Sequence, residues 1–390
     1  MTALMNTYNR VDLAFERGEG AYLITADGRR YLDFASGIAV TALGHSHPHL
    51  VKTLQEQGAK LWHCSNLFRI PDQERLGQRL VDASFADAVF FGNSGAEAVE
   101  CGLKLIRKYQ DDFGDPKRFR VIGFEGAFHG RTLATLAAAG NEKYLKGYAP
   151  NVEGFEQVPF GNLNEVRARV GPETAAILIE PVQGEGGMRA ADVQFLKDLR
   201  TVCDEFGLLL MFDEVQCGMG RTGRLFAHEW AGVTPDIMST AKGIGGGFPL
   251  GACLATAKVA AAFGHGNHGT TFGGNPLAMA IGNAVLDVML APGFLDSVAK
   301  MGRVLDRKLI DLVRRYPGVF SEVRGIGLLR GLKCVGSNND IVDKVRARGL
   351  LTVSAADNVV RLLPPLIVTE AEIDQAIAAL EAAATEAKAA

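Results

Sequence analysis

An α/β protein built on a mostly parallel sheet flanked by helices, followed by a smaller α+β domain, is the fold class this chain predicts. Three observations carry the prediction. Between about residues 85 and 260, short apolar runs alternate with helix-like stretches. Those runs are rich in Val, Ile, Leu and Phe and do not alternate with polar residues, as strands buried on both faces must. After about residue 275 the texture changes to long helical patterns and glycine-broken strands.

Taken in order, the first forty-odd residues hold strand signals at 21–25 and 30–34 and are expected to pack against the later domain. The buried runs lie at 88–91, 120–124, 175–180, 208–213, 236–240 and 250–256. Amphipathic helices are expected between them, for example over 96–109 and 192–206. Helical patterns over 276–290 and 294–315 lead to strands around 319–334 and 359–363, and an Ala/Glu-rich helix from 369 closes the chain. This divides the chain into an N-terminal segment (1–44), a large domain (45–280) and a small domain (281–390).

Composition narrows the function. The 390 residues carry 41 Lys and Arg against 44 Asp and Glu, a net charge of −3, which offers no footprint for a phosphate backbone. No nucleic-acid partner is expected. No run approaches the 18 or so apolar residues that span a bilayer, and the N-terminus lacks a signal-peptide core, so a soluble cytoplasmic protein is expected. Six cysteines stand far apart, without a CxxC pair, which fits buried thiols in a reducing compartment. The 46 glycines cluster at 184–187, 243–247 and 264–274, where backbone turns sharply or approaches a small ligand.

Several motifs fail on context. The histidines of HSHPH (45–49) have no cysteine or nearby carboxylate to complete a metal shell, and no metal is expected. GMGRTG (218–223) matches a dinucleotide fingerprint by letter, yet it does not open a helix directly after a strand and is read as a turn. There is no Gly-Lys dipeptide and hence no P-loop. Ser94 resembles a nucleophile elbow, but Ala96 stands where glycine is required.

Three features fit together. Residues 90–98 read as strand, tight turn and helix start, with Ser94 as N-cap, a terminus suited to a phosphate. The run 208–212 leads into Asp213-Glu214, a carboxylate at the end of a buried strand where α/β sheets place ligands. The strand 236–241 ends at Lys242, with Gly243, Gly245, Gly246 and Gly247 behind it. A desolvated lysine attacks carbonyls. A phosphate cradle, a strand-end Asp and a strand-end Lys together point to pyridoxal 5'-phosphate.

At this point the chain resembles the class III aminotransferases of pyridoxal-phosphate fold type I, most closely the acetylornithine aminotransferases. The segments that match are DFASGIAVTALGHSHP (33–48), LWHCSNLF (61–68), FGNSGAE (91–97), FHGRT (128–132) and IEPVQGEGG (179–187). They continue with FDEVQCGMGRTG (212–223), TAKGIGGGFP (240–249), GTTFGGNP (269–276), VRGIG (323–327) and VRLLPP (360–365), in family order over nearly the whole chain.

The resemblance implies roles. Lys242 would bond the cofactor's aldehyde and then move the substrate's proton, while Asp213 would pair with the ring nitrogen. Phe128 and Val215 would cover the two ring faces, Gln216 would reach the ring hydroxyl, and Glu214 is counted with the cofactor residues. Ser94, Gly95 and Ala96 would hold the phosphate, completed by Thr271 of a partner subunit, which implies a homodimer with shared active sites. Arg131, with Thr270 nearby, would take the α-carboxylate of acetylornithine. Arg361 would take that of glutamate or 2-oxoglutarate, with Glu185 screening it between half-reactions. The implied reaction converts N2-acetyl-L-ornithine and 2-oxoglutarate to N-acetyl-L-glutamate 5-semialdehyde and L-glutamate by a ping-pong route, in arginine biosynthesis. N-succinyl-diaminopimelate, ornithine and 4-aminobutyrate are the alternative substrates.

Overall fold

The computed structural model describes residues 3–389. Strands β1 (Arg17–Glu19), β2 (Tyr22–Ile24) and β3 (Arg30–Asp33) form an antiparallel meander. The central sheet follows, built from β4 (Ala88–Gly92), β5 (Arg120–Phe124), β6 (Phe155–Val158) and β7 (Thr174–Ile179). A short hairpin, β8 (Val182–Gln183) and β9 (Arg189–Ala190), precedes the last three strands, β10 (Leu209–Asp213), β11 (Ile237–Thr240) and β12 (Gly251–Ala255).

The central sheet has seven strands in the order β4-β12-β11-β10-β7-β5-β6. Only β12 runs against its neighbours. Every residue of β7, β10, β11 and β12 is buried, which is why these strands read as unbroken apolar runs. The run that the sequence pattern does not reveal is β6, whose Glu156 and Gln157 are half-buried at the sheet's edge.

Pairing register sets the location of the site. Gly92 pairs with Gly251, Ala252 with Thr240, and Ser239 with Asp213. The carboxyl ends of β4, β10 and β11 therefore share one edge of the sheet. Gly251 is essential to this closeness, since a Cβ there would lie 2.3 Å from the Ser94 carbonyl oxygen.

The C-terminal region contributes helices Pro276–Met289 and Phe294–Arg315, then β13 (Phe320–Ile326), β14 (Leu329–Cys334) and an unanticipated helix, Asn338–Arg346. That helix buries only Asn338, Ile341 and Val345, too thin a stripe to stand out in the sequence. Strands β15 (Leu350–Leu351), β16 (Val353–Ala355) and β17 (Val359–Leu362) and the helix Glu370–Ala389 complete the chain. The order β13-β14-β17-β16 forms an antiparallel sheet, whereas β15 adds in parallel to β3 and ties the first strands to the end of the chain.

His45 Nε2 meets Asp33 Oδ2 at 2.8 Å and His49 Nε2 meets Asp287 Oδ2 at 2.9 Å. GMGRTG is a series of turns that opens no helix. Among the described residues no disulfide joins the six cysteines, and no single helix is long and apolar enough to cross a membrane.

Candidate active site

A cavity of about 440 Å³ lies at the shared strand edge. Its walls include Ser94, Gly95 and Ala96 after β4, Phe128 and Arg131 after β5, Asp213, Val215 and Gln216 after β10, and Lys242 after β11. Nine residues expected from the sequence thus converge here. Val40, from the DFASGIAV segment, also lines it.

The helix Gly95–Phe113 starts with a reciprocal cap. Glu97 N donates to Ser94 Oγ at 3.2 Å, and the Glu97 carboxylate accepts from Asn93 N at 2.7 Å. Gly95 and Ala96, in the first turn, line the cavity, where an anion meets the positive helix end.

Asp213 is 3% exposed and accepts from Val215 N at 3.0 Å. Its other oxygen lies 2.7 Å from His129 Nδ1. Burial opposes protonation of His129, but the hydrogen bond and charge of Asp213 outweigh it and raise the imidazole pKa above its usual value. Behind them, Glu180 accepts from Phe128 N at 2.8 Å and Gly184 N at 3.3 Å. Burial pushes its carboxyl up to about 7, with Asp213 adding to the rise and His129 opposing it.

Lys242 has φ +51°, a strained left-handed conformation for a lysine. Burial lowers its amine pKa, Arg361 adds to that, and Glu185 and Asp213 oppose it. A desolvated amine of this kind is neutral at lower pH than a free lysine, as a nucleophile or base requires.

Arg361 on β17 does not line the cavity but hydrogen-bonds to Gln216 in its wall. It donates to Glu185 Oε1 at 2.7 Å, to Gln216 Oε1 at 3.3 Å and to the Ser354 carbonyl at 3.1 Å. Five expected residues do not line the cavity: Arg361 and its partner Glu185, and Glu214, Thr270 and Thr271. Glu214 does not line the cavity: it is fully buried and accepts from the backbone N–H of Ala227 and His228 and from the His228 ring. Its place is structural. Thr270 sits beside Asn93 and caps Gly273 N, and neither it nor Thr271 lines its own chain's cavity.

His129 and Glu180 are the site residues that the sequence reading passed over. Glu180 ends a buried apolar run, the same signal that singles out Asp213. His129 adjoins Phe128, and nothing local distinguishes it from a core histidine.

The paired rises of Glu180 and His129 have a stability consequence. The folded state keeps a proton on Glu180 that the unfolded chain releases at the ordinary value of 4.5, so stability falls as pH rises from there to about 7, and the raised imidazole of His129 adds a fall above its ordinary 6.5. Glu180→Gln is expected to flatten this fall by on the order of 1–3 kcal/mol. Urea unfolding of the cofactor-free protein between pH 5 and 8 checks it, and an unchanged slope counts against it.

Pyridoxal phosphate fits these residues. A helix terminus faces its phosphate, a buried carboxylate with a second buried partner suits a cationic ring nitrogen, and a desolvated lysine stands within the same cavity. Residues 4–384 match the family model described as aminotransferase class-III. The chain is 62% identical over 380 residues to the acetylornithine aminotransferase of Brucella suis biovar 1 (strain 1330), covering 97% of this chain and 94% of the relative. It resembles the crystal structure of N-acetylornithine aminotransferase from Stenotrophomonas maltophilia K279a with TM-score 0.85 and 38% identity, covering 98% of each chain. An ornithine aminotransferase structure from Toxoplasma gondii, with PLP at partial occupancy in its active site, matches with TM-score 0.93 and 29% identity over 98% of this chain and 92% of that one. With its sheet, cavity and strand-end lysine, the chain belongs to the class-III aminotransferases.

Proposed function

We propose that the protein transfers the terminal amino group of N2-acetyl-L-ornithine to 2-oxoglutarate, forming N-acetyl-L-glutamate 5-semialdehyde and L-glutamate in arginine biosynthesis. The observation that carries this reading is the near full-length identity of 62% to a relative of that name, together with a cavity lined by Arg131 and a second arginine, Arg361, hydrogen-bonded to its wall residue Gln216.

Bound pyridoxal phosphate supplies a carbonyl that accepts the amino group and a ring that takes up an electron pair. Of the residues that line the cavity, Ser94, Gly95 and Ala96 would hold the phosphate, Phe128 and Val215 would cover the ring, and Gln216 would reach the ring hydroxyl. Asp213, oriented by its contact with His129, would keep the ring nitrogen protonated. Lys242 would hold the cofactor at its aldehyde, and its desolvated amine would take the proton from the amine-bearing carbon of the donor. Arg131 binds the α-carboxylate of acetylornithine and Arg361 that of glutamate or 2-oxoglutarate, with Glu185 neutralising Arg361 when the other substrate is bound.

The direct test follows the visible absorbance of the loaded protein. N-acetylornithine without keto acid is expected to remove the band, and 2-oxoglutarate to restore it. A band indifferent to acetylornithine but removed by ornithine, 4-aminobutyrate or a succinylated amine would overturn the substrate.

Arg361→Ala is expected to slow the 2-oxoglutarate half-reaction about 10- to 100-fold more than the acetylornithine half, the scale of a lost charge-assisted hydrogen bond. Equal losses in stopped-flow traces of the two halves would rule out the screening role of Glu185.

A homodimer completes the site in this reading. Trp62 (67% exposed), Leu67 (89%) and Phe272 (62%) form an apolar patch beside Thr271. Asn66 links its two segments by donating to the Gly273 carbonyl at 2.9 Å. Patches of this kind mark interfaces. Light scattering is expected to give twice the 41.7 kDa chain mass, and a single-chain mass would refute it. Free cysteines support a reducing, cytoplasmic location.

A further inference from the structure

The two arginines of the site are held by different physics. Arg361 is locked by Glu185, Gln216 and a backbone carbonyl. Arg131 makes no ion pair and no hydrogen bond among the described residues. Its guanidinium carbon lies 3.9 Å from the ring centroid of Tyr144 and 5.3 Å from that of Phe128. The 3.9 Å distance to Tyr144 is the shortest cation–ring distance among the described residues, the next being 4.5 Å between Arg30 and Tyr22. Phe128 and Tyr144 meet edge to face, their centroids 6.3 Å apart at 89°.

The local chain path builds this stack. Arg131 precedes Thr132, whose N–H donates to Thr135 Oγ1 at 3.0 Å and anchors the start of the helix Leu133–Ala139. Gly140, at φ +65°, ends that helix. Asn141 then caps the turn Glu142–Leu145, accepting from Lys143 N at 3.1 Å, and Tyr144 on this turn comes back over the guanidinium. Tyr144 is half-buried and Arg131 exposed, so the cation is pinned from one side and open on the other.

A guanidinium held by its face keeps all five in-plane N–H donors free, and those donors form the fork that engages a carboxylate. An acidic residue holding Arg131 would compete with the substrate for the same edge. An aliphatic one would hold it weakly and leave side-chain entropy to be lost on binding. We infer that Tyr144 is a positioning and specificity-determining residue, whose ring face orients Arg131 so that substrates bearing a carboxylate are selected over neutral ones. The inference rests on the carboxylate role proposed above for Arg131.

The test uses the holoenzyme and two unreactive probes, N-acetyl-L-norvaline and its carboxamide, titrated by calorimetry. Both lack the transferable amine, and they differ only in the group that would face Arg131. The unmodified protein is expected to prefer the acid. Tyr144→Leu should cut that preference about 5- to 30-fold, the range of a partly desolvated cation–π contact. Tyr144→Phe, which keeps the ring face, should retain it, and Arg131→Met should abolish it. Full preference in Tyr144→Leu beside none in Arg131→Met overturns the positioning role and leaves the proposed function standing. Equal weakening of both probes by Tyr144→Leu overturns it as well. Preference surviving in Arg131→Met refutes the carboxylate role itself, and this inference with it.

Discussion

Lys242→Ala keeps the fold and loses transamination by about 10³-fold or more. Lys242 follows β11 on a short turn, and its neighbours Ala241, Gly243 and Ile244 are buried backbone and core, so the scaffold does not depend on the amine. The alanine inherits the left-handed φ, a strain of about 1 kcal/mol that the lysine already bears. What disappears is the one desolvated amine in the cavity, both as bonding partner for the cofactor and as proton carrier. The phosphate cradle and Asp213 remain, so pyridoxal phosphate still binds, without its covalent link. Single-turnover measurement of the acetylornithine half-reaction, with thermal unfolding as the control for folding, decides the matter. Turnover within tenfold of the unmodified protein would remove Lys242 from the chemistry.

Asp213→Asn is the second large effect. The amide still accepts from Val215 N, so the local turn survives, but it cannot oppose a cationic ring nitrogen in a buried site. It also withdraws the charge that keeps the pKa of His129 raised. Breaking one member of a buried ionic pair costs about 3–5 kcal/mol, which corresponds to a rate loss of roughly 10²- to 10³-fold or somewhat more. The loss is expected in kcat, with a smaller change in KM for N-acetylornithine. A shifted pH dependence of the visible band would separate this role from a packing defect. Near-normal kcat would refute it.

Much of this site was legible along the chain because the signals are local. Six strands showed as unbroken apolar runs, four of them buried throughout, and Asp213 and Lys242 showed as charges ending two of them. Capping chemistry around Ser94 marked a helix start within a few residues. Both edge strands are partly buried, but β4 is apolar throughout while β6 carries Glu156 and Gln157 and so shows no run, and the thinly buried helix Asn338–Arg346 gives too narrow a stripe to be seen.

Side-chain direction at the strand ends was not legible. Asp213 and Glu214 are consecutive, and successive side chains of an extended chain point to opposite faces. In a strand buried on both sides, the apolar pattern does not say which face holds the ligand. Pairing with β11 decides it: Asp213 turns to His129 and the cavity, while Glu214 turns to His228. Contacts between distant segments, Arg361 with Glu185 and His129 with Asp213, likewise require the folded chain, since their partners lie 176 and 84 residues apart. Local physics wrote the strands, the caps and the reactive residue types into the sequence; which of those residues face one another follows from sheet register and from the antiparallel C-terminal sheet that brings Arg361 to Gln216 in the cavity wall.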